Sequence, residues 1–149
     1  MTIYFYKVHE PYGCFSNFSP HGIDFQGTYW STVEHYYQAQ KFVGTADAAV
    51  IPVIHTASTP EQAAALGRDR TRQVRPDWEQ VKTQVMHQAV LKKFLTHTDI
   101  QAILISTGEL LIVENSPTDC YWGCGQDKTG QNHLGKILMS VRQEIRCLT

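Results

Sequence analysis

The 149-residue sequence has no excess of charge of either sign: 13 Lys and Arg stand against 14 Asp and Glu, a formal net charge of -1. It also has no polybasic run, so a broad electrostatic grip on nucleic acid or on a membrane surface is not expected. Long apolar runs are missing; the longest, such as Ala102-Ile103-Leu104-Ile105, are far too short to span a bilayer. The N-terminus shows no basic stretch leading into an apolar one, so no signal peptide is expected. Both absences argue for a cytoplasmic chain. Cysteines are few and irregularly spaced: Cys14, Cys120, Cys124 and Cys147. A domain of this size can be stable without disulfides. Cys120, Cys124 and His133 lack the C-x-x-C pair and second cluster of a zinc site, so free cysteines are expected. No P-loop, dinucleotide turn, H-E-x-x-H or G-x-S-x-G signature is present. Internal repeats, low-complexity tracts and long linkers are absent as well.

Hydrophobic residues make up 42% and charged residues 18% of the chain, a globular composition. The length suits one domain over residues 1–149 with one core. Ile3-Tyr4-Phe5-Tyr6 reads as a strand, and Ile23 to Gln26, ending at Gly27, as a second short one. Ser31 to Phe42 reads as a short helix that stops near Gly44. Ala46 to His55 is a weaker helix because Pro52 interrupts it. Thr59-Pro60-Glu61 starts another, ending near Gly67. Between Pro76 and His97, Trp78, Val81, Val85, Met86, Ala89, Val90 and Phe94 recur at spacings of three and four, as on a core-facing helix. Thr98 to Ser106 forms a short helix ended by Gly108, and Leu110 to Val113 a strand. The last helix runs from Asn132, a candidate cap, to about Arg146, with Leu134, Ile137, Leu138, Val141 and Ile145 on its apolar face. The expected fold is mainly α, an α+β arrangement with a few short strands. Strands and helices do not alternate, which argues against a doubly wound parallel sheet.

Four segments carry residues that a fold does not obviously require. Glu34, Gln38 and Lys41 stand at i, i+4 and i+7, so a carboxylate, an amide and an ammonium share one helix face near Tyr36, Tyr37 and Phe42. Such a group suits a polar small-molecule pocket, and the same spacing suits a solvated helix face. In Gly13-Cys14-Phe15-Ser16-Asn17-Phe18, two aromatics could hold a flat ring whose edge Ser16 and Asn17 would bind; an Asx-type turn with two anchoring aromatics fits equally. In Leu66-Gly67-Arg68, glycine would permit an αL backbone, and Arg68 offers a guanidinium to phosphate or carboxylate; a basic residue favouring the helix C-terminus fits the same segment. Finally, Gly123, Gly125, Gly130 and Gly135 surround Asp119 and Trp122 ahead of the last helix, whose first N–H groups could receive an anion. Among the histidines, His35 beside Glu34 reads as a packing or hydrogen-bonding residue.

Taken together, these segments resemble the YbiA-like proteins of the NADAR superfamily. The matching elements are Tyr12-Gly13-Cys14-Phe15-Ser16-Asn17-Phe18, Val33 to Phe42, Leu66-Gly67-Arg68, Asp77-Trp78, Lys93-Phe94, Asp119-Cys120-Tyr121-Trp122-Gly123 and Gly130-Gln131-Asn132-His133-Leu134-Gly135. They follow the family's order over nearly the whole chain. The resemblance implies an N-glycosidase on a mainly helical fold, working without metal or organic cofactor. Its substrates would be early riboflavin-pathway intermediates, the ribosylamino-pyrimidine phosphates, and its role the pre-emption of damage by these reactive compounds. Other members remove ADP-ribose from guanine, and bacterial relatives are linked to swarming motility.

Cleaving a C–N bond at ribose passes through an oxocarbenium-like state that carboxylates stabilise while activating water. Glu34 and Asp119 are the expected catalytic pair. Trp122 would stack on the heterocycle, and Lys41 and Arg68 would hold the ribose phosphate. Asn17, Phe18, Gln38, Gly123 and Asn132 complete the expected substrate-binding set. The expected partner is a small ribosylated heterocycle phosphate and not a membrane. Two alternatives stay open: an ADP-ribosyl-guanine glycohydrolase, which needs access to nucleic acid, and a non-catalytic nucleotide-binding module.

Overall fold

A computed structural model describes residues 1–148 of the chain. Among them are four strands and six α-helices: β1 (Thr2–Phe5), β2 (Ile23–Phe25), β3 (Thr28–Trp30), α1 (Val33–Gln40), α2 (Val50–His55), α3 (Pro60–Gly67), α4 (Trp78–Thr96), α5 (Thr98–Ser106), β4 (Leu111–Glu114) and α6 (His133–Leu148). This is the helix-rich α+β arrangement that the pattern predicts. The strands form two separate pairs. β1 runs parallel to β4, with Thr2 opposite Leu111 and Phe5 opposite Glu114. Side chains alternate along β1, so Ile3 and Phe5 are buried while Tyr4 is exposed.

β2 and β3 form an antiparallel hairpin through Gln26 and Gly27. The expected strand to Gln26 stops at Phe25, and β3 was not foreseen. Both loop residues have positive φ, 52° and 83°, the backbone of a two-residue type I′ turn. Glutamine seldom adopts that conformation, so Gln26-Gly27 gives little hairpin signal.

Helix starts follow capping chemistry. Thr32 Oγ1 accepts from the His35 N–H, and Thr59 Oγ1 from the Gln62 N–H, each cap being worth about 1 kcal/mol. Pro60 opens α3 at a position that needs no N–H donor. The expectation that Pro52 interrupts its helix is corrected. Pro52 is the third residue of α2, inside the first turn, where the N–H would have no intrahelical acceptor. The helix begins at Val50 instead of Ala46.

One cluster of buried side chains joins β1, α1, α4, α5, β4 and α6. The predicted face of α6 is buried throughout: Leu134, Ile137, Leu138, Val141 and Ile145. On α4, Trp78, Met86, Ala89, Val90 and Phe94 are buried, with Val81 and Val85 partly so. Two cations lie within these faces. Arg142 donates to Thr107 Oγ1 at 2.8 Å and to the Leu110 carbonyl at 2.9 Å, tying α6 to the end of α5. Lys93 serves the site described below. Among the described residues, no helix is long and apolar enough to cross a membrane.

Candidate active site

Glu34 occupies the first turn of α1, where a carboxylate meets the positive end of the helix dipole. One turn on, Gln38 Nε2 donates to Glu34 Oε2 at 2.7 Å. Glu34 is 5% exposed and Gln38 2%, so this is no solvated helix face. The second amide atom, Gln38 Oε1, has no hydrogen-bond partner among the described residues. It abuts Gly67, where a Cβ would collide with the Gln38 amide. Gly67 is therefore required by close packing of α3 on α1. The expected αL backbone is corrected: Gly67 is the last helical residue of α3 and lies outside the positive-φ set.

Two cations flank this carboxylate. Arg68 Nη2 is 3.8 Å from Glu34 Oε2, with 64% of the arginine side chain exposed. Lys41 Nζ donates to the Gly67 carbonyl at 3.3 Å and lies 5.7 Å from the centre of the Tyr37 ring. Burial lowers the Lys41 pKa to about 8 despite the nearby Glu34. Burial raises that of Glu34, opposed first by the Gln38 hydrogen bond and then by Arg68 and Lys41.

A second wall comes from the segment before α6. Asp119 Oδ1 accepts from the Tyr121 and Trp122 N–H groups at 2.9 and 2.8 Å, and the Asp119 N–H donates to Ser116 Oγ at 3.0 Å. Trp122 meets the Tyr37 and Tyr121 rings edge-on, at centroid distances of 5.6 and 4.8 Å. The carbonyls of Cys120, Tyr121, Trp122 and Gly123 accept from the N–H groups of Gln131, His133, Leu134 and Asn132 respectively. The expected anion site at the start of α6 is thereby corrected, because its leading donors are already used within the protein.

The 13–18 segment supplies a third wall. Lys93 Nζ donates to the Ser16 carbonyl at 2.9 Å, and the Glu34 N–H donates to the Asn17 carbonyl at 3.2 Å. Of the two aromatics, Phe15 turns into the core, edge-on to Phe5 and Phe94, while Phe18 stays at the site. The Asn17 amide donates to Met86 Sδ at 3.3 Å.

These walls enclose a cavity of about 890 Å³, lined by Asn17, Phe18, Glu34, Gln38, Lys41, Arg68, Asp119 and Trp122. Eight of the ten expected site residues thus share one space. Gly123 and Asn132 do not line it. A Cβ on Gly123 would sit 2.9 Å from the Glu114 carbonyl oxygen, so that position has no room for a side chain. Asn132 has positive φ and turns its amide to β4: Oδ1 accepts from the Glu114 N–H at 3.0 Å, and Nδ2 donates to the Ile112 carbonyl at 2.9 Å. Its expected roles as helix cap and ligand contact are corrected on that ground. His35 is structural, as expected, joined to Thr32 Oγ1 at 2.8 Å and to the Ala57 carbonyl at 3.0 Å. Among the described residues, the four cysteines are free and no group of three or more His, Cys, Asp or Glu is placed to hold a metal ion.

The NADAR domain model matches residues 4–146. The chain belongs to the NADAR family. It is 73% identical over 148 residues to an N-glycosidase of Nostoc punctiforme, covering 99% of this chain and 95% of that one. It is 42% identical to the N-glycosidase YbiA of Escherichia coli, covering 96% of this chain and 88% of YbiA. A chloroplastic riboflavin biosynthesis protein of Zea mays is 45% identical over 96% of this chain, which spans 25% of the maize protein. Among solved structures, the NMR structure of E. coli YbiA superposes with a TM-score of 0.89 at 40% identity, covering 99% of this chain and 88% of that one. The fold is accordingly that of the YbiA-like NADAR proteins.

Sequence reasoning missed two groups. Glu114 lines the cavity at the end of β4. Its signal was a lone carboxylate closing an apolar strand five residues before Asp119. Lys93 belongs to the Lys93-Phe94 element of the family resemblance, with no role expected for it. Its signal was an ammonium inside the apolar stripe of α4, between Val90 and Phe94. It is 1% exposed, and burial lowers its pKa to about 7.

Proposed function

We propose that this chain hydrolyses the bond between ribose phosphate and the base nitrogen of ribosylamino-pyrimidine phosphates, the early intermediates of riboflavin synthesis. N-glycosidase is the name carried by its Nostoc and Escherichia relatives, and this chain is a hydrolase of N-glycosyl bonds. The finer substrate reading draws on relatives in Zea mays and Vibrio vulnificus that are named riboflavin biosynthesis proteins. Removing such reactive amines would pre-empt damage.

The observation that carries the reading is the meeting of Glu34 and Asp119 with Trp122, Lys41 and Arg68 around one cavity. As the C–N bond lengthens, positive charge grows on the ribose. Carboxylates at the site offset that charge and take a proton from the attacking water. Asp119 uses one oxygen to hold its own turn and has the other available for this task. Trp122 offers a face to the leaving base. Lys41 and Arg68 attract the phosphate, Arg68 from the more exposed position. Gln38 orients Glu34 through the 2.7 Å hydrogen bond. Asn17 and Phe18 border the same space and complete the substrate contacts.

A second reading, hydrolysis of ADP-ribosylated guanine, is favoured by one observation. The cavity, about 890 Å³, lies near the upper end of ordinary small-molecule sites, roughly 300–1,000 Å³. That is more room than a single pyrimidine nucleotide requires. Incubating the purified protein with each substrate class and identifying the released base by mass spectrometry tests both. Release of the pyrimidine alone supports the first reading, and release of guanine alone replaces it with the second. Binding of either compound with no base released leaves a non-catalytic nucleotide-binding module.

A further inference from the structure

We propose that Glu114 is the general acid of this site, giving its proton to the departing nitrogen while the other carboxylates serve the ribose and the water. The assignment rests on the N-glycosidase reading above. Three observations lead to it.

First, Glu114 is held by the motif residues that stand outside the cavity. Its N–H donates to Asn132 Oδ1 at 3.0 Å, and its carbonyl accepts from the Cys124 N–H at 2.9 Å. Gly123 packs against that same carbonyl with no room for a side chain. Asn132 and Gly123 were expected to touch substrate; both instead fix the backbone from which Glu114 extends. Phe5 pairs with Glu114 from the other side, in the register of β1 and β4. These contacts fix the backbone from which the side chain extends.

Second, the carboxyl itself is free. Glu114 lines the cavity, and its carboxyl has no hydrogen-bond or ion-pair partner among the described residues. Carboxyl groups retained for structure in a largely buried setting are ordinarily paired. This one extends from a fixed backbone and is left available.

Third, the surroundings favour its acid form. Burial is the largest influence, followed by the negative charges of Asp119 and Glu34, and only Arg68 opposes them; together they push the pKa up to about 7. Glu61, Lys41, Lys7 and His9 also border the cavity. Negative charge crowded around Glu114 favours its acid form and sets its role apart from that of the carboxylates it faces.

The chemistry supplies the need. An amine-linked base leaves poorly as an anion. When the C–N bond breaks, its electron pair goes to nitrogen, and the Glu114 proton joins that pair, giving a neutral amine and a Glu114 carboxylate. Water forms the new C–O bond at the ribose, and a neighbouring carboxylate accepts the proton that water loses. Return of that proton to Glu114 restores the enzyme, so the sum is substrate plus water giving free base and ribose phosphate.

The test measures kcat/KM against pH for the parent, Glu114→Gln and Glu114→Asp on a ribosylamino-pyrimidine phosphate, with melting temperatures alongside. The parent should lose activity as pH rises through about 7, because the proton donor is then spent. Glu114→Gln should be slower by roughly 10²-fold or more at neutral pH, without that decline and at nearly parental melting temperature. Glu114→Asp should recover part of both the rate and the decline. A Glu114→Gln rate within threefold of the parent, or an unchanged pH profile, would overturn the assignment. Should the variants fail to fold, ¹³C NMR of the parent's side-chain carboxyls decides. A Glu114 resonance titrating near 7 supports the assignment, and one titrating in the ordinary glutamate range overturns it. A parent that cleaves no N-riboside overturns the N-glycosidase reading, and Glu114's role with it. That outcome is distinct because it precedes any variant.

Discussion

Helix α1 and its C-cap, Lys41, which keeps helical backbone angles, bring Glu34, Gln38 and Lys41 to the cavity on a repeating backbone, whereas the 115–132 segment brings Asp119 and Trp122 on a chain without one. On the helix, the 3.6-residue period alone aligns the three side chains. On the loop, Asp119 Oδ1 holds two successive N–H groups, and four loop carbonyls bind the entrance of α6. The helix wall spends few side chains on its own shape. The loop wall uses Asp119 for shape and for chemistry at once. Substitutions on the helix wall should therefore separate activity from stability more cleanly than those on the loop wall.

The largest effect expected among residues already paired in the site is that of Glu34→Gln. It keeps the shape and the contact with Gln38 but removes the charge. Turnover should fall by roughly 10²–10⁴-fold while the melting temperature barely moves. Turnover close to parental would end the catalytic role of Glu34. An unfolded variant would mean that the helix wall is as structural as the loop wall.

Asp119 probes the dual use directly. Asp119→Asn retains an oxygen that can accept from Tyr121 and Trp122, so the turn should survive while kcat drops by about 10²-fold. Asp119→Ala should add a stability loss of about 1–3 kcal/mol from two unpaired N–H groups. Equal melting temperatures for the two variants would show that the carboxylate does not shape the loop.

For Trp122→Ala, loss of stacking should weaken binding of the base portion by about 1–3 kcal/mol, with Trp122→Phe recovering part of it. Calorimetric titration with a product base, set beside melting curves, checks this. Activity and melting temperature falling in parallel would make Trp122 a core anchor instead of a base platform.

Arg68→Ala should have the smallest effect. The side chain is mostly exposed, so its contact with a phosphate is screened. KM for a phosphorylated substrate should rise about tenfold, with kcat little changed and the dephosphorylated analogue unaffected. Equal losses for both compounds would show that Arg68 does not read the phosphate.

Much of the fold was legible because periodicity and capping are local. The apolar face of α6, the Thr59-Pro60 start of α3 and the Gly108 end of α5, with its φ of 65°, all follow from neighbours in the chain. The β2–β3 hairpin was not, because Gln26 is an unusual residue for its turn. The site was legible where chemistry coincides with a regular element, as at Glu34 and Lys41. It was illegible where a residue acts on a strand distant in sequence, as Asn132 does on Ile112 and Glu114.

By itself the sequence determined which segments are helical, which faces are apolar and which residues carry ionisable chemistry. It did so because side-chain period, capping and residue type are properties of neighbouring positions. Only the tertiary structure decided that the Glu34 face is buried instead of solvated, that Gly67 makes room for Gln38, that Asn132 and Gly123 hold a strand end, and that Glu114 joins the cavity. Each of these depends on which distant surfaces meet. Burial sets the charge state of a carboxyl as strongly as its chemical identity does, and burial is a property of the packed chain as a whole.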